Sequence, residues 1–159
     1  MDFTVSQQHG TTFMYVLPTG NNVALVEYTL FTEELLKEDD YNNALKNYIH
    51  QQLQITQFEL LHEEFGVIPM TAHSFVRTDG NIVNIGTAGG DTKGSSGYTF
   101  QFIQKRTAQI VTSVVKNQHP FKKASFVKRK FKLYDDVLLD VLQNKKMKGA
   151  ELFTCIFQK

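Results

Sequence analysis

The first third of the chain is patterned like an antiparallel sheet. Residues 3–7, 12–17 and 23–31 are apolar or alternating runs. They are separated by Gln8-His9-Gly10 and by Pro18-Thr19-Gly20-Asn21-Asn22, short breaks made of turn residues. Links this short join neighbouring antiparallel strands, which predicts a three-stranded meander. Thr32-Glu33-Glu34 then reads as a helix start, with Thr32 as the cap and the acids at the positive helix end. Leu35, Leu36, Ala44, Leu45, Tyr48 and Ile49 extend a broken apolar stripe to about residue 52. Residues 55–62 alternate and predict another strand, and residues 82–85 a short apolar one.

The second half changes period. Phe102, Ala108 and Val115 lie at helical spacing within a helix predicted over 98–116. Two further helices are expected over 125–143 and 150–157. The order of elements predicts an α+β fold in a single domain or part of one. It divides into a sheet region with one helix over 1–85, a glycine-rich loop over 86–100 and a helical part over 101–159.

Length and charge narrow this picture only a little. A chain of 159 residues with 42% hydrophobic residues can bury a real core. A net charge of +1 gives no field that would gather nucleic acid or an acidic partner. Thirteen phenylalanines suit an apolar cavity and an ordinary core equally well. Cys155 is the single cysteine and cannot close an internal disulfide, which points to a reducing compartment. Its neighbours Phe153, Thr154, Ile156 and Phe157 predict a buried thiol. No apolar run is long enough for a membrane span and no signal peptide is visible, so the expected location is cytoplasmic.

The most unusual composition is Gly86-Thr87-Ala88-Gly89-Gly90-Asp91-Thr92-Lys93-Gly94-Ser95-Ser96-Gly97-Tyr98, between a short strand and a helix. Glycines let backbone approach a ligand, and a helix start favours negative charge. Ser95 or Ser96 can cap that helix. The glycine spacing matches neither a dinucleotide fingerprint nor a Walker loop. A surface loop before a well-capped helix explains the same composition without any ligand.

The exact string resembles the second flavin-contacting motif of lycopene cyclases, in which Gly-x-x-Ala-Gly precedes Ser/Thr-Ser/Thr-Gly-Tyr. Other stretches match that family in order. Met1-Asp2-Phe3 resembles its Met-Asp-Trp/Phe strand. Phe13 to Pro18 with Leu25 to Thr29 resembles its Tyr-x-Leu-Pro and Glu-x-Thr strands, and Gly66-Val67-Ile68-Pro69-Met70 its Gly-x-Ile-Pro-Met turn. Gly94 departs from the family, where many members carry proline. The resemblance implies part of a p-hydroxybenzoate-hydroxylase-like flavoprotein fold with an antiparallel substrate-binding sheet. It also implies FAD in its reduced form, with Gly86, Thr87, Ala88, Gly89, Gly90, Ser96, Gly97 and Tyr98 beside the cofactor. Family members begin with a dinucleotide-binding βαβ unit. The chain therefore reads as a C-terminal portion in which Met1 is an internal methionine, inactive alone and unable to retain FAD.

Glu27 lies in Val23-Ala24-Leu25-Val26-Glu27-Tyr28-Thr29-Leu30-Phe31, sharing one face with Val23, Leu25, Thr29 and Phe31. Both faces are apolar enough to predict burial, and burial disfavours a carboxylate anion. The resemblance assigns Glu27 the acid role: it protonates a terminal alkene of lycopene and starts closure of the ψ-end into a β-ionone ring. A glutamate at a sheet edge paired with a lysine is the ordinary alternative. Asp2 reads as a strand residue able to orient a neighbour, or equally as a plain strand-end aspartate. Glu63 and Glu64 read as a solvated turn rather than as an assisting proton carrier, and the five histidines show no metal spacing.

Lys116, Lys122, Lys123, Lys128, Arg129, Lys130 and Lys132 are interleaved with Phe121, Phe126 and Phe131. This mix fits peripheral contact with an anionic membrane, or a solvated helical face with its aromatics turned inward. Two other functions fit the sequence. One is a different isoprenoid-acting FAD-dependent oxidoreductase of the same fold, which would have no need of the acid at Glu27. The other is a non-catalytic lipid- or partner-binding domain that retains the motifs.

Overall fold

The computed structural model describes residues 1–120 and 126–158. The architecture is α+β, with small antiparallel sheets and C-terminal helices. The chain forms two compact units. One comprises Met1–Glu64 with Lys145–Lys159, the other Phe65–Asn144.

The first unit is built on a hairpin of β1 (Thr11–Gly20) and β2 (Val23–Phe31), turning at Asn21-Asn22. Register runs from Thr11 opposite Phe31 to Pro18 opposite Ala24, with an irregularity between Pro18 and Gly20. Proline lacks an N–H, so a bulge is where a strand tolerates it. β1 thus continues through the expected break at Pro18.

The predicted meander is reduced to this hairpin. Residues 3–7 form no strand, and the first segment contributes a single bridge, Asp2 to Met14. The Gln7 side chain takes the place of a ladder. Its amide donates to the carbonyls of Phe3, Val5 and Thr12, and its oxygen accepts from Thr12 N at 3.1 Å.

Alternation places Thr12, Met14, Tyr28 and Leu30 on one hairpin face and Phe13, Tyr15, Glu27, Thr29 and Phe31 on the other. Helix α1 (Glu38–Gln51) packs on β2, with Tyr41 edge-on to Tyr28 at 6.1 Å. Met14, Thr12 and Tyr48 are buried. On the other face α4 (Gly149–Phe157) packs on β1. There Phe153 meets Phe31 at 5.3 Å and Phe3 at 5.9 Å, and Phe13 joins Phe3 and Phe31. Cys155 is exposed, not buried as predicted. Two residues are about 200° around a helix, so Cys155 turns away from the face that buries Phe153.

Helix α1 starts five residues later than predicted, with Lys37 and not Thr32 at the cap position. Thr32 does not cap it but accepts from Glu34 N at 3.3 Å in a local turn. The acids of the first turn are Glu38, Asp39 and Asp40. The strand predicted over 55–62 is absent: its alternation is intact, but no backbone ladder forms there, and period alone cannot supply a partner.

Asp2 is hydrogen-bonded through both carboxylate oxygens. Its carboxylate accepts from Thr4 N at 2.9 Å, Thr4 Oγ1 at 2.6 Å and Tyr48 OH at 3.0 Å. The Thr4 hydrogen bonds come first in holding this carboxyl below its usual range, and Tyr48 adds to them. A depressed folded-state pKa means stability present above the unfolded value of 3.8 and lost as pH falls through the folded one. Asp2→Asn should therefore flatten the acid limb of a stability–pH curve below about pH 5. Urea midpoints across that range check it, and an unchanged slope would remove Asp2 from acid sensitivity.

In the second unit a short hairpin, β3 (Thr78–Asp79) with β4 (Ile82–Val83), leads into the glycine loop. Helix α2 (Phe100–Val115) follows the loop, and α3 (Phe126–Gln143) completes the unit. Both lie close to their predicted spans. Among the described residues, no helix is long and apolar enough to cross a membrane.

Candidate active site

Glu27 sits near the middle of β2, directly opposite Tyr15 in the hairpin register. The Tyr15 hydroxyl donates to Glu27 Oε2. The Thr29 hydroxyl donates to Glu27 Oε1 at 2.7 Å. Both carboxyl oxygens therefore receive a hydroxyl donor from the same sheet face. The expectation that both faces of this strand are buried does not hold. Glu27 is half-buried, and Val23, Ala24 and Leu25 are exposed. The cause is the cover. α1 and Phe153 shield the Phe31 end of the hairpin, while the end nearer the turn carries no layer within the first unit.

This uneven cover gives the Glu27 face a gradient. On one side of the carboxyl stand the packed rings of Phe13, Phe31 and Phe153, with Tyr15 stacked on Phe13 at 6.4 Å. On the other side lies an exposed apolar ledge. Leu17 and Leu25 pair across the strands, and Val23 continues the same face. An alkyl chain laid on this ledge would end at the carboxyl.

The glycine loop belongs to the second unit. Asp91, only 6% exposed, organises it. Its Oδ2 accepts from Gly86 N at 3.0 Å, and its Oδ1 pairs with Arg106 Nε on α2 at 2.5 Å. Asp91 N donates to Gly86 O, Gly90 N to Thr87 O, and Gly97 N to Lys93 O. Gly89 passes so close to Asn84 that a Cβ would stand 2.2 Å from its carbonyl oxygen. Gly90 takes φ +71°, a conformation glycine enters without strain. Hydroxyls join the two halves of the motif: Thr92 Oγ1 lies 3.3 Å from Thr87 Oγ1 and 2.9 Å from Thr99 Oγ1.

Neither serine caps α2. Thr99 occupies the cap position and makes no side-chain cap bond. Ser95 Oγ instead donates to Asp135 Oδ1 on α3 at 2.5 Å, and Lys93 Nζ pairs with the same carboxylate. These partners lie about 40 residues downstream, beyond local sequence reading. Among the described residues Ser96 Oγ is buried without a hydrogen-bond partner.

Several loop amides are thus spent on the loop itself, which leaves little for a phosphate. What faces outward is small or flat: Thr87 and Ala88 are exposed, and Tyr98 is 67% exposed. A flat ring system fits this rim better than a phosphate does, and Ser96 Oγ could satisfy a polar atom at its edge.

The basic stretch is only partly described. Lys122 and Lys123, with Phe121, lie outside the described residues. On α3, Lys130 Nζ stands 5.6 Å from the Tyr134 ring centroid, and Phe131 meets the same ring edge-on at 6.3 Å. Phe131 is exposed, so this aromatic does not turn inward as the solvated-face reading requires.

Glu27 and Thr29 share a face by alternation alone. Tyr15 comes opposite them only once the hairpin register is known. Asp91 and Arg106 carried no signal beyond a charged pair at a distance. No curated protein and no solved structure matches the chain. The family model described as lycopene cyclase protein matches residues 1–157, and the chain accordingly belongs to the lycopene cyclase family, whose members serve carotenoid cyclisation.

Proposed function

We propose that this chain carries the acid of a lycopene β-cyclase, and that Glu27 is that acid. The observation that supports it best is the one carboxyl within strands β1 and β2, flanked by the Leu17, Leu25 and Val23 ledge and by packed aromatic rings. The substrate is a hydrocarbon polyene without a polar handle, so an apolar ledge is the means of holding it. Glu27 gives its proton to a terminal alkene carbon. The cation so formed is attacked by the next double bond, which closes the ring. Loss of a ring proton then restores the alkene, and the net change is isomerisation. Water must be kept from the cation: the packed rings of Phe13, Phe31 and Phe153 shield one side of the carboxyl, and the bound polyene itself would cover the exposed ledge on the other.

Reduced FAD is the proposed cofactor, with Thr87, Ala88, Ser96 and Tyr98 as the residues of this chain that would hold its ring. When bound, an electron-rich ring supplies electrostatic stabilisation of positive charge without net redox change. Gly86, Gly89, Gly90 and Gly97 serve that role by shaping the loop. The p-hydroxybenzoate-hydroxylase-like fold and docking on an anionic membrane through the basic, aromatic part of α3 belong to the same proposal. Lysines near the apolar Leu133, Tyr134 and Val137 suit a bilayer in which carotenoids dissolve.

The test is product analysis in lycopene-accumulating cells that express the chain with an upstream dinucleotide-binding unit. Glu27→Gln should lower β-ring formation by about a hundredfold or more, while the visible flavin spectrum of the purified protein stays unchanged. Undiminished cyclic product in that variant would remove Glu27 from the acid role.

A further inference from the structure

We infer that Tyr15 and Thr29 are the positioning residues of the Glu27 carboxyl, and that cyclisation depends on both hydroxyls. The inference rests on the reading of Glu27 as the acid. It goes further by assigning work to two residues that act through the Glu27 carboxyl and not on the substrate.

The geometry is specific. Tyr15 reaches Oε2 from the partner strand, and Thr29 reaches Oε1 at 2.7 Å from the same strand. The two donors approach different oxygens, so together they orient the carboxyl group. Neither donor sits on a loop. Tyr15 is paired with Glu27 across the ladder and stacked on Phe13, while Thr29 is paired with Phe13. Rigid elements of this kind hold a reacting group more closely than loops do.

The chemistry needs such a pair. In the first step the O–H bond of Glu27 breaks and a C–H bond forms at the alkene. The O–H electron pair remains on the carboxyl oxygen as a carboxylate. Two hydroxyl donors stabilise that anion at the moment it appears, and they need no reorganisation to do so. The protonated carboxyl keeps lone pairs on its oxygens, so it accepts from the hydroxyls before the transfer as well, while its own O–H is left to face the alkene. The ring proton lost later balances the proton delivered.

The decisive experiment combines kinetics with a double-mutant cycle on the full chain, expressed with an upstream dinucleotide-binding unit. Tyr15→Phe keeps the ring and removes only the hydroxyl. It should lower kcat by about tenfold or more and leave KM unchanged. Thr29→Val should act in the same direction, and Thr29→Ser should restore the rate. On a Glu27→Gln background, Tyr15→Phe should cause no further loss, because a residue acting through Glu27 has nothing left to position. Independent multiplying losses on that background would overturn the inference in favour of a purely structural tyrosine. Near-wild-type rates in both Tyr15→Phe and Thr29→Val, with Glu27→Gln inactive, would overturn it while leaving Glu27 as the acid. An active Glu27→Gln enzyme would overturn both. The infrared difference spectrum between wild type and Glu27→Gln gives a readout free of turnover. Its carboxyl band should shift in Tyr15→Phe, and an unmoved band counts against the contact.

Discussion

Replacing Asp91 with alanine is expected to cost the second unit about 3–5 kcal/mol of stability. The Asp91 and Arg106 side chains are 3% and 11% exposed, so solvent screens their interaction little. A charge at such a site loses most of its hydration on folding and depends on its partners for compensation. Asp91 also accepts the Gly86 amide at 3.0 Å. Its removal deprives a buried guanidinium of its carboxylate and frees the start of the glycine loop together. Asp91→Asn keeps the shape and one acceptor, and should lose less. Urea unfolding of wild type, Asp91→Ala and Asp91→Asn checks the order. A loss under about 1 kcal/mol in the alanine variant would mean that the pair behaves like a surface ion pair. On the proposed reading, flavin retention falls in the same order, since Asp91 shapes the rim at Thr87 and Ala88.

Phe153→Ala carries the second large effect, about 3–5 kcal/mol in the first unit. Phe153 is 6% exposed and meets three rings: Phe31 at 5.3 Å, Phe3 at 5.9 Å and Phe157 at 6.4 Å. Truncation removes transfer energy and leaves a cavity that stiff aromatic neighbours fill poorly. Phe153→Leu retains most of the volume and should cost less than about half as much. Thermal unfolding of the two variants distinguishes these costs. Equal losses would show that ring stacking, rather than filled volume, holds α4 on the hairpin. Phe31 and Phe13 stand on the Glu27 face, so the alanine variant also loosens the packed side of the candidate site.

How much of this was legible beforehand differs residue by residue. The hairpin, α2, α3 and α4 lay within a few residues of their predicted spans. Their signals are local: turn residues between alternating runs, and apolar residues at helical spacing. Residues 3–7 and 55–62 show where such signals stop. Both alternate acceptably, yet a strand also needs a neighbour with free backbone groups. In one case Gln7 satisfied those groups instead. The helix caps were misplaced for a related reason. Thr32 and Ser95 are good capping residues by type, but each found another hydrogen-bond partner, Glu34 N and the Asp135 carboxylate.

By itself the sequence determined the family, the α+β class, and the shared face of Glu27 and Thr29, because ordered motifs and strand alternation are written in neighbouring residues. Only the tertiary structure decided which residues complete each site. Register placed Tyr15 against Glu27, packing left the Leu17–Leu25 end of the sheet uncovered, and folding of α2 and α3 onto the loop brought Arg106 and Asp135 to Asp91, Lys93 and Ser95. Such contacts join positions up to about 40 residues apart, and their energy comes from burial and pairing that exist only once the chain has closed on itself.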